Sequence, residues 1–215
     1  SPGRPMVRSY LGPAGPCYTG PVPAAPEATE LALQQLALEL CELARQRADL
    51  TGYRSGVISR LQPHVPFDVA VFHEFSPRSS LERAALHGVT QDVMEAGRSR
   101  WDENAVLFGR LRELALEQGG VAGDREAFAQ DTRARAAWRT RVCQPLGVQS
   151  SLLAHLVVNE RLVSALFLGR RGALGWSARE RRALSQVLPA IAVGDALQQS
   201  LRSGQVAGPP TQLRC

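Results

Sequence analysis

The side chains of this sequence that could do chemistry are few, and each sits in apolar surroundings. His155 lies at the centre of Leu152-Leu-Ala-His-Leu-Val-Val158, in phase with Ser151, Leu153 and Val157. An imidazole inside an apolar strand must find a hydrogen-bond partner or face a cavity. It therefore reads either as a polar contact to a ligand or as a core histidine satisfied by a neighbour. His73, in Phe67-Asp-Val-Ala-Val-Phe-His-Glu-Phe75, has the same ambiguity in weaker surroundings. Cys143 stands close to Arg139 and Arg141, whose charges would lower a thiol pKa, but no second cysteine is near in sequence to act as a resolving partner. Cys17, Cys41, Cys143 and Cys215 are widely spaced, with no Cys-x-x-Cys or Cys/His ligand pattern. Neither phosphate-binding glycine motif is present. With no nucleophile–base–orienter set in view, the expectation is a protein that is not an enzyme and carries no metal or cofactor.

The elements that must position these groups follow from periodicity. Glu27–Leu50 is expected to be helical, with Leu31, Leu33, Leu36, Leu38, Leu40 and Leu43 on a face wider than one sheet contact requires. That width points to helix–helix packing, including packing between two chains. Gly52–Leu61 reads as a second, shorter helix ending at Pro63. Phe67–Phe75 alternates as a strand, with a turn at Ser76–Ser79 and Leu81–His87 as its hairpin partner. Asp92–Gly97 reads as a helical turn, and Asn104–Gln118 as a helix stopped by Gly119-Gly120. Asp124–Trp138 reads as a loop, then a helix starting near Asp131. Ser151–Val158 and Leu162–Leu168, separated by Asn159-Glu160-Arg161, read as an antiparallel hairpin. A long amphipathic helix, Ser177–Leu201, follows, with Ser177 and Glu180 in capping-box spacing.

Strand pairs with helices at both ends give an α+β class: an antiparallel sheet with the N- and C-terminal helices packed on one face. The boundaries expected are a disordered leader over 1–26, one domain over 27–202 and a disordered tail over 203–215. The net charge of +5 is carried by arginine alone, since lysine is absent. The arginines are interleaved with Asp and Glu, as in Arg110-Leu-Arg-Glu113, so solvated helix faces explain them better than direct nucleic-acid binding. No apolar run reaches the roughly eighteen residues a membrane span requires. The Pro- and Gly-broken N-terminus is unlike a signal peptide, so a cytoplasmic location is expected.

The order Asp131-Thr-Arg-Ala-Arg135, Pro145-Leu-Gly-Val-Gln-Ser-Ser-Leu152 and Trp176-Ser-Ala-Arg-Glu-Arg181 resembles the C-terminal half of GAF domains. It is similar above all to GAF-like sensor modules found N-terminal to LuxR-type helix-turn-helix regions in bacterial regulators. The resemblance implies a GAF/PAS-like fold and a regulatory sensor that binds a small ligand or a partner protein to influence transcription. It also implies a pocket between the second sheet face and the middle helices, with His155, Phe72, Trp101, Phe108, Phe128, Trp138 and Cys143 as its candidate lining. A homodimer through Glu27–Leu50 and Ser177–Leu201 is expected; the alternative is a ligand-free dimerisation and interaction adaptor on the same fold. Cys143 lacks the His-Cys pair of bilin-binding relatives, since Val142 precedes it, and so does not imply a bilin. Trp176-Ser-Ala-Arg-Glu-Arg-Arg-Ala-Leu184 also resembles the opening of a LuxR-type helix-turn-helix, yet only a short Gly/Pro tail follows Leu201. It is read as the closing helix of the sensor.

Overall fold

The computed structural model describes residues 30–46, 49–74 and 84–206. The expected leader, the turn at 76–79 and the part of the tail beyond 206 lie outside the described residues. The elements run α1 (Glu30–Gln46), α2 (Leu50–Leu61), β1 (Val69–Glu74), β2 (Ala85–His87), α3 (Gln91–Arg98), α4 (Trp101–Glu117), β3 (Val121–Gly123), α5 (Asp124–Ala127), α6 (Thr132–Trp138), a π-helical turn (Arg139–Cys143), β4 (Ser150–Val158), β5 (Arg161–Arg170) and α7 (Ala178–Val206). The strands form one antiparallel sheet in the order β2-β1-β5-β4-β3. The α+β architecture with the terminal helices packed on one face is therefore present.

Alternation along the strands divides the core into two layers. Ala70, Phe72, Leu152, Ala154, Leu156, Leu166 and Leu168 face α1, α2 and α7. Val69, Val71, Leu153, Ala165 and Phe167 face the other way, onto Leu107, Leu111 and Ala115 of α4, Phe128, Trp138, Val142 and Cys143. Each helix is held by the stripe it buries. On α1 that stripe is Leu33, Leu36, Leu40 and Leu43, while Leu31 and Leu38 point to solvent.

The expected first helix is interrupted before Leu50. Asp49 is extended and its carboxylate accepts from the Gly52 backbone N–H at 2.6 Å, so it caps α2 as a separate helix. α1 and α7 run in the same direction: Gln186 reaches Glu30 at 3.0 Å, and Gln198 reaches the Ala44 carbonyl at 2.6 Å. Gly194 permits their closeness, because a Cβ there would lie 2.2 Å from the Tyr53 hydroxyl and 3.0 Å from Ala44 Cβ.

The β4–β5 hairpin is tighter than its sequence implies. Arg161 pairs with Val158, which leaves a two-residue turn with Asn159 at φ 49° and Glu160 at φ 62°, the left-handed pair that matches strand twist. A bulge between Leu156 and Val157 lies beside Ser164. The capping box forms: Glu180 accepts from the Ser177 N–H at 2.8 Å, and Ser177 Oγ accepts from the Glu180 N–H at 3.2 Å. Arg170 then ties Glu180 to the sheet and lies 4.0 Å over the Trp176 ring.

Candidate functional site

The strands bring two histidines into one row on the layer facing α4. Ala165 of β5 pairs with His73 of β1 on one side and with His155 of β4 on the other. Directly opposed residues of antiparallel strands project to the same face, so both imidazoles flank one methyl group. His155 is 1% exposed, and its backbone N–H donates to the Gly120 carbonyl at 2.8 Å. Gly120 reaches that position at φ +94°, straight after α4 ends. Burial lowers the His155 pKa to about 4, and the charges of Arg112 and His73 add to the effect. His73 is half-buried, and its Nδ1 donates to the Glu74 carbonyl at 2.7 Å. Its pKa is also lowered, mainly by burial and against that backbone hydrogen bond. At neutral pH the row holds neutral rings, not cations: the single N–H of His73 is spent on Glu74, so its Nε2 is an acceptor, and the His155 ring carries one donor and one acceptor nitrogen.

The same face carries a second group two alternations along β4, at Ser151, roughly 13 Å from His155 at strand rise. Trp138 Nε1 donates to Ser151 Oγ at 3.0 Å, and the Ser151 N–H donates to Asp124 Oδ1 at 3.2 Å. Phe108 meets Trp138 edge-on at 5.0 Å, and Phe128 meets it at 5.6 Å. Burial raises the Asp124 pKa against several backbone hydrogen bonds. Cys143 is buried beside this group, and its thiol is pushed up to about 12 by burial first and then by the Asp124 charge. Arg139 opposes that rise only weakly. The basic neighbours expected to activate the thiol do not do so, and Cys143 behaves as a packed small side chain.

Of the candidate lining, Phe108, Phe128, Trp138 and Cys143 come together, and His155 shares their layer. Phe72 does not join them. Its ring lies on the opposite face, 5.0 Å under the Arg54 guanidinium, because the alternation of β1 sends 72 toward the terminal helices and 73 away from them. Trp101 opens α4, and its side chain lies outside the described residues. No group of three or more His, Cys, Asp or Glu able to hold a metal occurs among the described residues. Nor is any described helix long and apolar enough to cross a membrane.

One polar cluster escaped the sequence reading. Arg54 and Asp195, both fully buried, pair through Nε and Oδ1 at 2.7 Å and through Nη2 and Oδ2 at 3.1 Å. Ser164 accepts from Arg54 Nη2 at 3.0 Å and donates to Asp195, while Gln199 donates to Asp195 at 2.6 Å. The cue was present in Asp195, an acid within the apolar Ile191-Ala-Val-Gly-Asp-Ala-Leu197 of a helix. Its partner lies 141 residues away and nothing local indicates it.

This arrangement is a GAF-like fold with a mostly apolar site face bearing a few polar groups. No family model matches the chain, and no curated protein matches it significantly. Solved structures do. The GAF domain from a phosphoenolpyruvate-protein phosphotransferase of Coxiella burnetii aligns with a TM-score of 0.51 at 10% identity, covering 80% of this chain and 98% of that one. The phycocyanobilin-bound GAF domain from a cyanobacterial phytochrome aligns at 0.50 and 14% identity, covering 80% and 96%. Free methionine-R-sulfoxide reductase from Neisseria meningitidis, in complex with its substrate, aligns at 0.50 and 12%, covering 80% and 92%. At these identities the likeness is one of fold.

Proposed function

We propose that this chain is a cytoplasmic sensory domain that takes a small ligand on the His73–Ala165–His155 face and reports it through α1 and α7 to influence transcription. The observation that carries the reading is the buried, neutral His155 on a strand face otherwise built from Val, Leu, Ala and aromatic side chains. An imidazole held there gives a donor and an acceptor where an apolar ligand face needs a few oriented polar groups. Two of the similar folds are named as holding a substrate or a bilin, which supports a ligand-taking use of the architecture. The second reading, a ligand-free adaptor, draws on the exposed Leu31 and Leu38 of α1 and Val193, Leu197 and Leu201 of α7. Both readings use that surface to bind a second copy of the chain or a regulatory protein.

The test is native mass spectrometry of the purified protein. The sensor reading expects a bound small molecule that is lost in a folded His155→Ala variant. A wild-type protein without bound mass, titrated through a metabolite extract without effect, favours the adaptor. In cells, a folded His155→Ala chain should reproduce the transcript changes caused by deleting the gene; unchanged transcripts defeat the sensor reading.

A further inference from the structure

The buried cluster on the far face of the sheet is placed to move the C-terminal helix. Ser164 and Ala165 are consecutive residues of β5, so they project to opposite faces. Ala165 lies between the two histidines, and Ser164 is hydrogen-bonded to both Arg54 and Asp195. The bulge at Leu156/Val157 lies beside Ser164 and locally interrupts the β4–β5 ladder there.

The holds on α7 are divided by Pro189. Before it, the helix is fixed to the sheet by Glu180 and Arg170. Beyond it, the polar contacts fall within one short stretch: Tyr53 donates to the Ile191 carbonyl at 3.0 Å, Asp195 meets Arg54 and Ser164, and Gln198 donates to the Ala44 carbonyl at 2.6 Å. Proline cannot donate to the Ser185 carbonyl, so the helix is weakest where the two holds divide. A buried ion pair adds little net stability compared with apolar residues of similar volume; its best-attested use is to fix register.

We propose that the Arg54–Ser164–Asp195 cluster is a positioning device that passes displacement of β5 at Ala165 to the part of α7 beyond Pro189. The proposal rests on the sensory reading only for its natural input. The experiment therefore replaces the ligand by a substitution, and the two ideas fail separately.

Ala165→Val adds bulk between the histidines on the site face. Hydrogen exchange of α7 amides is measured with and without it, in wild-type protein and in the double replacement Arg54→Met/Asp195→Leu. In the wild-type background Ala165→Val should speed exchange over 190–201 by about tenfold and leave 180–188 within about twofold. In the double replacement the added bulk should change exchange over 190–201 by less than about twofold, although the protein melts no lower than wild type. Should that replacement not fold, Ser164→Ala, which keeps the ion pair and removes the hydroxyl link to β5, should abolish the same response. An equal response in all backgrounds, or none in wild type, overturns the proposal.

Discussion

His73 and His155 face the same layer across three strands with only the Ala165 methyl between them. Both have lowered pKa values, and burial is the first cause in each. The folded protein thus holds neutral rings where the unfolded chain would protonate. For His155 the folded pKa is about 4 against a reference of 6.5. Its contribution to stability is whole above pH 6.5 and is lost as pH falls from there toward 4, since the unfolded state binds the proton first. The full loss is about 3 kcal/mol. Urea unfolding at pH 7.0, 6.0 and 5.0 should show falling midpoints in wild type and a flatter trend in His155→Phe. Parallel trends would mean that His155 titrates normally.

Cys143 is expected to be a slow thiol. With its pKa near 12 and its sulfur buried, almost no thiolate exists at pH 8. Peptide mapping after brief iodoacetamide treatment should find Cys41, which is exposed, modified well before Cys143. Adding denaturant should bring the two rates together. Fast native alkylation of Cys143 would show a lowered thiol pKa instead.

The N-terminal anchor of α7 is a second quantitative test. Ser177→Ala removes the hydroxyl that accepts from the Glu180 N–H and should lower stability by about 1 kcal/mol. Glu180→Ala should exceed that, because the same carboxylate also accepts from the Ser177 N–H and pairs with Arg170. Thermal melts of the two variants decide it, and equal losses would show that the Arg170 contact adds nothing.

Close packing at Gly194 gives a test of the helix layer. An alanine Cβ would sit 2.2 Å from the Tyr53 hydroxyl and 2.6 Å from its ring carbon, so α7 or Tyr53 must shift. Gly194→Ala should destabilise by about 1–3 kcal/mol. Tyr53→Phe in the same chain should recover part of the loss, despite forfeiting the hydrogen bond to Ile191. Additive losses in the double variant would place the strain elsewhere.

What was legible in the sequence was local. The hairpin, the capping box and the helix starting near Asp131 all formed, because each depends on residues a few positions apart. β3 was not legible: Val121-Ala122-Gly123 is too short to show alternation and becomes a strand by pairing with Leu152–Ala154. Phe72 was assigned to the wrong layer because alternation separates two faces without saying which faces the site. Arg54 and Asp195 were invisible as a pair, since only tertiary packing brings 54 to 195. The site thus divides into a strand-borne part that periodicity exposes and a helix-borne part that it does not.

The outward leucines carry the last prediction. Leu31 and Leu38 lie a heptad apart on α1, and Val193, Leu197 and Leu201 follow every fourth residue on α7, all exposed. The helices run in the same direction, so both sets lie on the one helical layer that flanks the sheet. Large apolar side chains repeated at helical spacing on a solvent face mark an interface more often than chance exposure. If that interface joins two copies, sedimentation equilibrium should give a dimer whose dissociation constant rises at least about a hundredfold in Leu38→Glu/Leu197→Glu. Because neither side chain contributes to the core, the melting temperature extrapolated to low concentration should stay within a few degrees of wild type. A wild-type monomer at high concentration, or a dimer that ignores both glutamates, would exclude this face as the seam between copies.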